Sequence, residues 1–197
     1  MPMKIILASS SPRRAEVLRD AGISFEIRAT HVDEAERQGE SAQAMVARLA
    51  EAKARAAGGQ IGGSAGNCIV VGADTTVELE GEILGKPRDA AHAREMLTAL
   101  SERTHRVLTG IFLLRLPDSA TRAAVETTSV TFVPLQRGEI DAYVAGGEPM
   151  DKAGAYGIQG VAGRYISRID GCYFNVVGLP LARLYTLLRE LGWMDQE

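Results

Sequence analysis

The sequence predicts a mixed α/β fold built as one unit, and three observations carry that prediction. Residues 68–79, CIVVGADTTVEL, form a continuous apolar run of the kind a central buried strand requires. Residues 105–116 and 123–135 are two long runs rich in β-branched side chains, joined through PDSAT, the pattern of an antiparallel hairpin. Around these runs, apolar residues recur at helical spacing. At 197 residues the chain is long enough for one sizeable core, or one core with two lobes, and short for two independent domains.

The elements follow in order. KIILA, 4–8, is a short apolar run ending in small residues and predicts a buried strand. Pro12 suits the first turn of a helix after a serine cap, because proline lacks the N–H that would be unsatisfied there. That helix runs over 12–21 and stops at Gly22. SFEIRAT, 24–30, alternates at Phe25 and Ile27 and predicts a second strand. From Ser41 to Ala57, residues Val46, Leu49, Ala50, Lys53, Ala54 and Ala57 share one stripe of a helix, which puts Lys53 on its apolar face. GGQIGGSAGN, 58–67, predicts a flexible loop, and its glycines fit no phosphate-loop pattern. After the 68–79 strand, EGE turns the chain into ILGKP. Helices are predicted over 88–100, 136–146 and 179–191.

Composition narrows the function. Hydrophobic content of 46% with 24% charged residues is that of a globular protein. A net charge of -3 and a pI near 5.7 give no basic character for nucleic acid or an acidic membrane, so any anion site must be local. Cys68 and Cys172 are the only cysteines and stand in no zinc or disulfide pattern. The N-terminus lacks the order of a signal peptide, and no segment approaches the ~20 apolar residues of a membrane span. The expectation is a soluble, cytoplasmic protein.

Four places put charge where a core would not want it. In LASSSPRRAEVL, Ser9, Ser10 and Ser11 lead into a helix start flanked by Arg13 and Arg14. Cations there oppose the helix dipole, whereas hydroxyls, free amides and guanidiniums together suit a polyphosphate. A serine-capped surface helix with two solvated arginines is the plain alternative. Asp74, placed at the end of the apolar strand run before Thr75 and Thr76, suits a general base or a metal ligand; an Asx-type turn would explain it structurally. Lys53 and Lys86 are placed to offset phosphate charge, though Lys53 could instead snorkel to the helix edge. GEPMDKAGAYGIQG, 147–160, reads as a loop of defined turns in which the Gln159 amide matches the paired donor and acceptor of a uracil-type ring. Glu34 is a possible second carboxylate for a metal, or a solvated loop charge. His31, His92 and His105 show no ligand spacing and are expected at the surface or satisfied internally.

The segments LASSSPRRAEVL, LAEAKARA, VVGADTTV, GKP, TGI, GEPMDKAGAYGIQG and NVVGLPL occur in the order and rough spacing of one family. Over nearly the whole chain the sequence resembles Maf-like proteins, nucleoside triphosphate pyrophosphatases of ITPase-like fold. GADTTV and AGAYGIQG are similar to the branch acting on dTTP and UTP rather than on 7-methyl-GTP. The resemblance implies an elongated, twisted mixed sheet with flanking helices and two lobes around a central cleft. It implies cleavage between the α- and β-phosphates with a divalent cation, Mg²⁺ or Mn²⁺. By position, Asp74 matches the proton acceptor; Ser9, Arg13, Arg14, Lys53 and Lys86 match the triphosphate site; Arg13, Thr75 and Gln159 match positions of substrate choice. Asp74 and Glu34 are the implied metal carboxylates. Ser10 stands where glycine is frequent, and Cys172 where serine is frequent. A homodimer is implied, and so is a competing role, a nucleotide-binding regulator of cell division and septum formation whose hydrolysis is incidental. An enzyme for purines such as ITP would share the fold and differ at Gln159.

Overall fold

The structure is a computed structural model that describes residues 3–61 and 67–194. Its elements are β1 (Lys4–Leu7), α1 (Pro12–Asp20), β2 (Phe25–Ile27), α2 (Ala42–Ile61), β3 (Cys68–Leu79), β4 (Glu82–Leu84), α3 (Ala90–Leu100), β5 (Thr104–Leu116), β6 (Thr121–Phe132), α4 (Arg137–Ala145), β7 (Ile166–Asp170), α5 (Tyr173–Val177) and α6 (Leu181–Glu190). They build one mixed sheet in the order β2-β1-β3-β5-β6-β7, with β4 also on β3. β1 runs parallel to β2 and β3, and every other pairing is antiparallel.

The sheet divides along the edge of β3. β1 pairs with Cys68–Val71, and β4 pairs with Val77–Leu79. Residues 72–76 therefore have a strand partner only on the β5 side. That gap separates two cores on one face of the sheet. One gathers Ile5, Leu7, Leu18, Ile69, Val71, Leu184 and Leu188 beneath α1 and α6. The other gathers Val77, Leu79, Leu97, Leu100, Phe132 and Tyr165 beneath α3 and α4. The implied two lobes and central cleft thus follow from where β1 stops and β4 begins.

Side-chain alternation along β3 sends Cys68 and Val70 to the opposite face, where Ala50, Ala54 and Ala57 of α2 cover them. Two glycines let α2 come close. A Cβ on Gly72 would lie 2.1 Å from the Ala50 carbonyl oxygen, and one on Gly110 would lie 2.3 Å from that of Val46. Gly110 is registered directly opposite Asp74.

Several expectations change. The second strand is only Phe25–Ile27, with Ile27 56% exposed, because β1 ends at Leu7 and leaves nothing for a longer edge strand to pair with. α2 runs on to Ile61 and takes up the first part of the predicted glycine loop. Gly58 is buried there, since a Cβ would meet Leu114 at 2.9 Å. The rest of that loop, 62–66, lies outside the described residues. The strand predicted over 68–79 is β3 as observed, so Asp74 closes only the apolar run and sits within the strand, not at its rim. The spacing predicts no element over 161–178, where β7, α5 and a 3-10 turn at Val161–Tyr165 occur. No helix among the described residues is long and apolar enough to cross a membrane.

Candidate active site

A cavity of about 480 Å³ opens at the gap in β3. All nine residues singled out as site candidates line it: Ser9, Arg13, Arg14, Glu34, Lys53, Asp74, Thr75, Lys86 and Gln159.

The serine loop enters from β1, whose direction is kept by the Ala8 amide donating to the Val71 carbonyl at 2.8 Å. Ser9 is buried, and its Oγ accepts from the Ser11 amide at 3.2 Å and from Arg14 Nη1 at 3.1 Å. Ser11 stands at the N-cap in an extended conformation, with Pro12 next, yet its hydroxyl makes no cap bond. The serine cap is thus absent, and no side chain among the described residues caps the first turn of α1.

The arginines are not a solvated pair. Arg14 is 8% exposed and donates from Nε to the Gly178 carbonyl at 2.8 Å and from Nη2 to Thr75 Oγ1 at 3.0 Å. Burial pulls its pKa down, Asp74 pulls it up, and the net shift is downward. Thr75 continues the network to Thr109 Oγ1 at 2.9 Å, and Thr109 donates to the Asn175 carbonyl at 3.1 Å. Arg13, half-buried, donates to Asp151 Oδ2 at 3.0 Å across the mouth of the cleft.

On the α2 side, Asp74 and Lys53 are each 8% exposed. Lys53 Nζ lies 2.6 Å from Asp74 Oδ1 and 2.6 Å from Glu34 Oε1, so it does not snorkel away; it binds two carboxylates. Asp74 Oδ2 has no hydrogen-bond partner among the described residues. Glu34 is half exposed on the loop before α2. Burial acts to raise its pKa, but the Lys53 hydrogen bond and the charges of Lys53, Lys86 and Arg14 outweigh it and hold the carboxyl below the usual range.

The far wall comes from the second lobe. Lys86, exposed after β4, has no ion-pair partner among the described residues. Gln159, also exposed, sits in the 157–160 turn. The predicted loop turns are two 3-10 segments, Glu148–Asp151 and Ala153–Ala155, with Gly147 and Gly154 at φ of 78° and 67°.

Other contributors carry a weaker signal in sequence. Asp151 and Lys152 lie within the glycine-rich segment, but only the fold brings them to Arg13. Gly178 supplies a carbonyl, which no side chain advertises. Of the histidines, His31 is exposed and His92 Nδ1 accepts from the Arg88 amide at the start of α3. His105 is buried and bonded to Tyr156 Oη at 2.7 Å.

No group of three or more His, Cys, Asp or Glu that could hold a metal occurs among the described residues. Two carboxylates at one ammonium fit a hard cation of the Mg²⁺ kind, which takes one or two carboxylates and completes its shell with water and substrate phosphates. Chemically, the cavity joins a buried carboxylate with an open oxygen to Arg13, Arg14, Lys53 and Lys86. That combination suits attack by water on a polyanion.

The profile of the Maf-like protein family matches residues 4–191. The chain is 49% identical over 195 residues to a protein named dTTP/UTP pyrophosphatase from Anaeromyxobacter sp. (strain Fw109-5), covering 98% of this chain and 91% of that one. It is 50% identical over 190 residues to the protein of that name from Symbiobacterium thermophilum, covering 96% and 95%. It is 49% identical over 194 residues to the one from Escherichia coli O157:H7, covering 98% and 95%.

Proposed function

The chain belongs to the Maf-like protein family, and from that premise we propose that it is a nucleoside triphosphate pyrophosphatase that hydrolyses dTTP and UTP to the monophosphate and pyrophosphate. The observation that carries the reading is the meeting of Asp74, Lys53 and Arg14 in one cavity at the interrupted edge of β3.

The proposed division of labour follows from burial. Arg14, fixed by Ser9, Thr75 and Gly178, and the free amides at the start of α1 receive the triphosphate. Arg13 and Lys86, less buried, close on its outer oxygens. Lys53 keeps Asp74 Oδ1 occupied, which leaves Oδ2 to take a proton from water. The water oxygen bonds to the α-phosphorus, the bond from that phosphorus to the bridging oxygen breaks, and pyrophosphate leaves with the electron pair. Asp74 and Glu34 would hold a divalent cation, which when bound supplies charge neutralisation on the phosphate oxygens. The Gln159 amide faces the base; held in one orientation it would accept from N3–H and donate to O4 of a uracil-type edge, whereas cytosine reverses both groups.

The test is a panel of dTTP, UTP, CTP and GTP with Mg²⁺ or Mn²⁺, read as pyrophosphate released. Turnover of dTTP and UTP above the other two is expected. Absence of turnover on all four, or turnover unaffected by Asp74→Asn, would overturn the proposal.

A further inference from the structure

His105 is a buried polar side chain that the chemistry above leaves unused. It projects from β5, 1% exposed, into the core of the second lobe. Its ring stands edge-on to Phe132 at 5.1 Å between centroids and to Tyr156 at 5.3 Å, while Phe132 and Tyr156 stand edge-on to each other at 4.8 Å. Its Nε2 is 2.7 Å from Tyr156 Oη, and its Nδ1 has no partner among the described residues. The ring therefore makes a single hydrogen bond, and a phenylalanine there would spare Nδ1 but leave the buried Tyr156 hydroxyl without its partner. What that bond adds is direction.

The direction matters because of what Tyr156 precedes. The backbone before it is held in unusual conformations: Gly154 has φ 67°, and Ala155, which carries a Cβ, has φ 60°. A side chain on Gly154 would meet Val77 at 2.8 Å, and the Gly154 amide donates to the Gly85 carbonyl, beside Lys86. Downstream, the Val161 amide donates to Glu148 Oε2 at 3.2 Å. Gln159 lies between these fixed points, in a turn closed by the Gly160 amide on the Gly157 carbonyl. Tyr156 is the last side chain sunk in the core before that turn.

Resting on the reading of Gln159 as the base-facing amide, we propose that His105 is a positioning residue for base selection, acting through Tyr156 to fix the turn that presents Gln159. The hydroxyl of Tyr156 is turned to His105 in the core although Tyr156 itself lines the cavity, whereas His105 does not line it and acts only through Tyr156. Burial lowers the His105 pKa to about 4, so the bond is that of a neutral ring near pH 7.

The experiment measures kcat and KM for UTP and CTP in the full chain. Tyr156→Phe and His105→Leu are each expected to lower the UTP-over-CTP ratio of kcat/KM by about tenfold, through the KM for UTP, the scale of one well-directed hydrogen bond. His105→Gln, whose amide reaches the Nε2 position, is expected to restore the ratio, and a merely structural histidine would not behave so. A ratio unchanged in folded Tyr156→Phe and His105→Leu proteins, or lost equally in His105→Gln, would overturn the proposal. If the wild type shows no preference, or Gln159→Ala leaves the preference intact, the reading of Gln159 itself fails. If Gln159→Ala lowers the ratio and the two anchor variants do not, the positioning role alone fails.

Discussion

Arg13 and Arg14 are neighbours in the chain and stand in opposite surroundings. Arg14 is enclosed by Ser9, Thr75 and Gly178, while Arg13 reaches over the cleft to an exposed carboxylate on the other lobe. The contrast extends to the two walls of the cavity. One is made of β3, α1 and α2, packed so closely that glycine is required at 72 and 110. The other is a run of short turns, 147–160, tied down by single hydrogen bonds. In the proposed mechanism the fixed wall would present Asp74, Lys53 and Arg14 to the reacting phosphorus, and the turn-built wall would present Gln159 to the base.

The comparison is sharpest at Asp74. Asp74→Asn is expected to cut turnover about a thousandfold while dTTP still binds, the range of a lost general base. Pyrophosphate release beside equilibrium binding measures both. Next comes the packing of the fixed wall. Gly110→Ala would drive a Cβ into the Val46 carbonyl, costing about 3 kcal/mol and moving α2 with Lys53 away from Asp74. Thermal unfolding and turnover should fall together.

The two arginines should then separate. Arg14→Ala removes the guanidinium bonds to the Gly178 carbonyl and to the hydroxyls of Ser9 and Thr75, a loss of about 2 kcal/mol in stability in addition to activity. A smaller effect follows from pH. Unfolded, His105 takes up a proton as pH falls through 6.5; folded, it does not until about 4. Its contribution is complete above pH 6.5 and declines as pH falls toward 4, by about 2 kcal/mol between pH 7 and pH 5. Urea unfolding at both values, with His105→Gln removing the difference, checks it. Smallest in stability is Arg13→Ala: its partly exposed pair is worth less than about 1 kcal/mol, so Tm should hardly move while KM rises.

The same contrast explains what could be read from residues alone. The long strands and the stripe on α2 are local patterns, and they predict β3, β5, β6 and the burial of Lys53 on its helix. Whether Lys53 turns outward or to a carboxylate depends on the gap at 72–76, which exists because β1 stops at Leu7 and β4 starts at Glu82. No local pattern announces that gap, so the sequence puts Asp74 at the end of an apolar run inside a predicted strand without showing that this stretch of β3 lacks a neighbour on one side. Arg14 reads like Arg13 because the carbonyl that buries it, Gly178, arrives from after α5. β7 and α5 are short and held by distant partners: Asn175 Nδ2 donates to the Val107 carbonyl, and the Cys172 amide donates to Thr128 Oγ1. Gly58–Ile61 reads as loop by composition, but packing against Leu114 keeps it helical. The candidate residues themselves were legible through the family resemblance; their distribution between the two walls was not.

The most direct test of attack at the α-phosphorus is hydrolysis of dTTP in ¹⁸O-labelled water followed by mass spectrometry of both products. The label is predicted in the thymidine monophosphate, with unlabelled pyrophosphate. Label in pyrophosphate, or release of diphosphonucleoside and inorganic phosphate, would contradict the account.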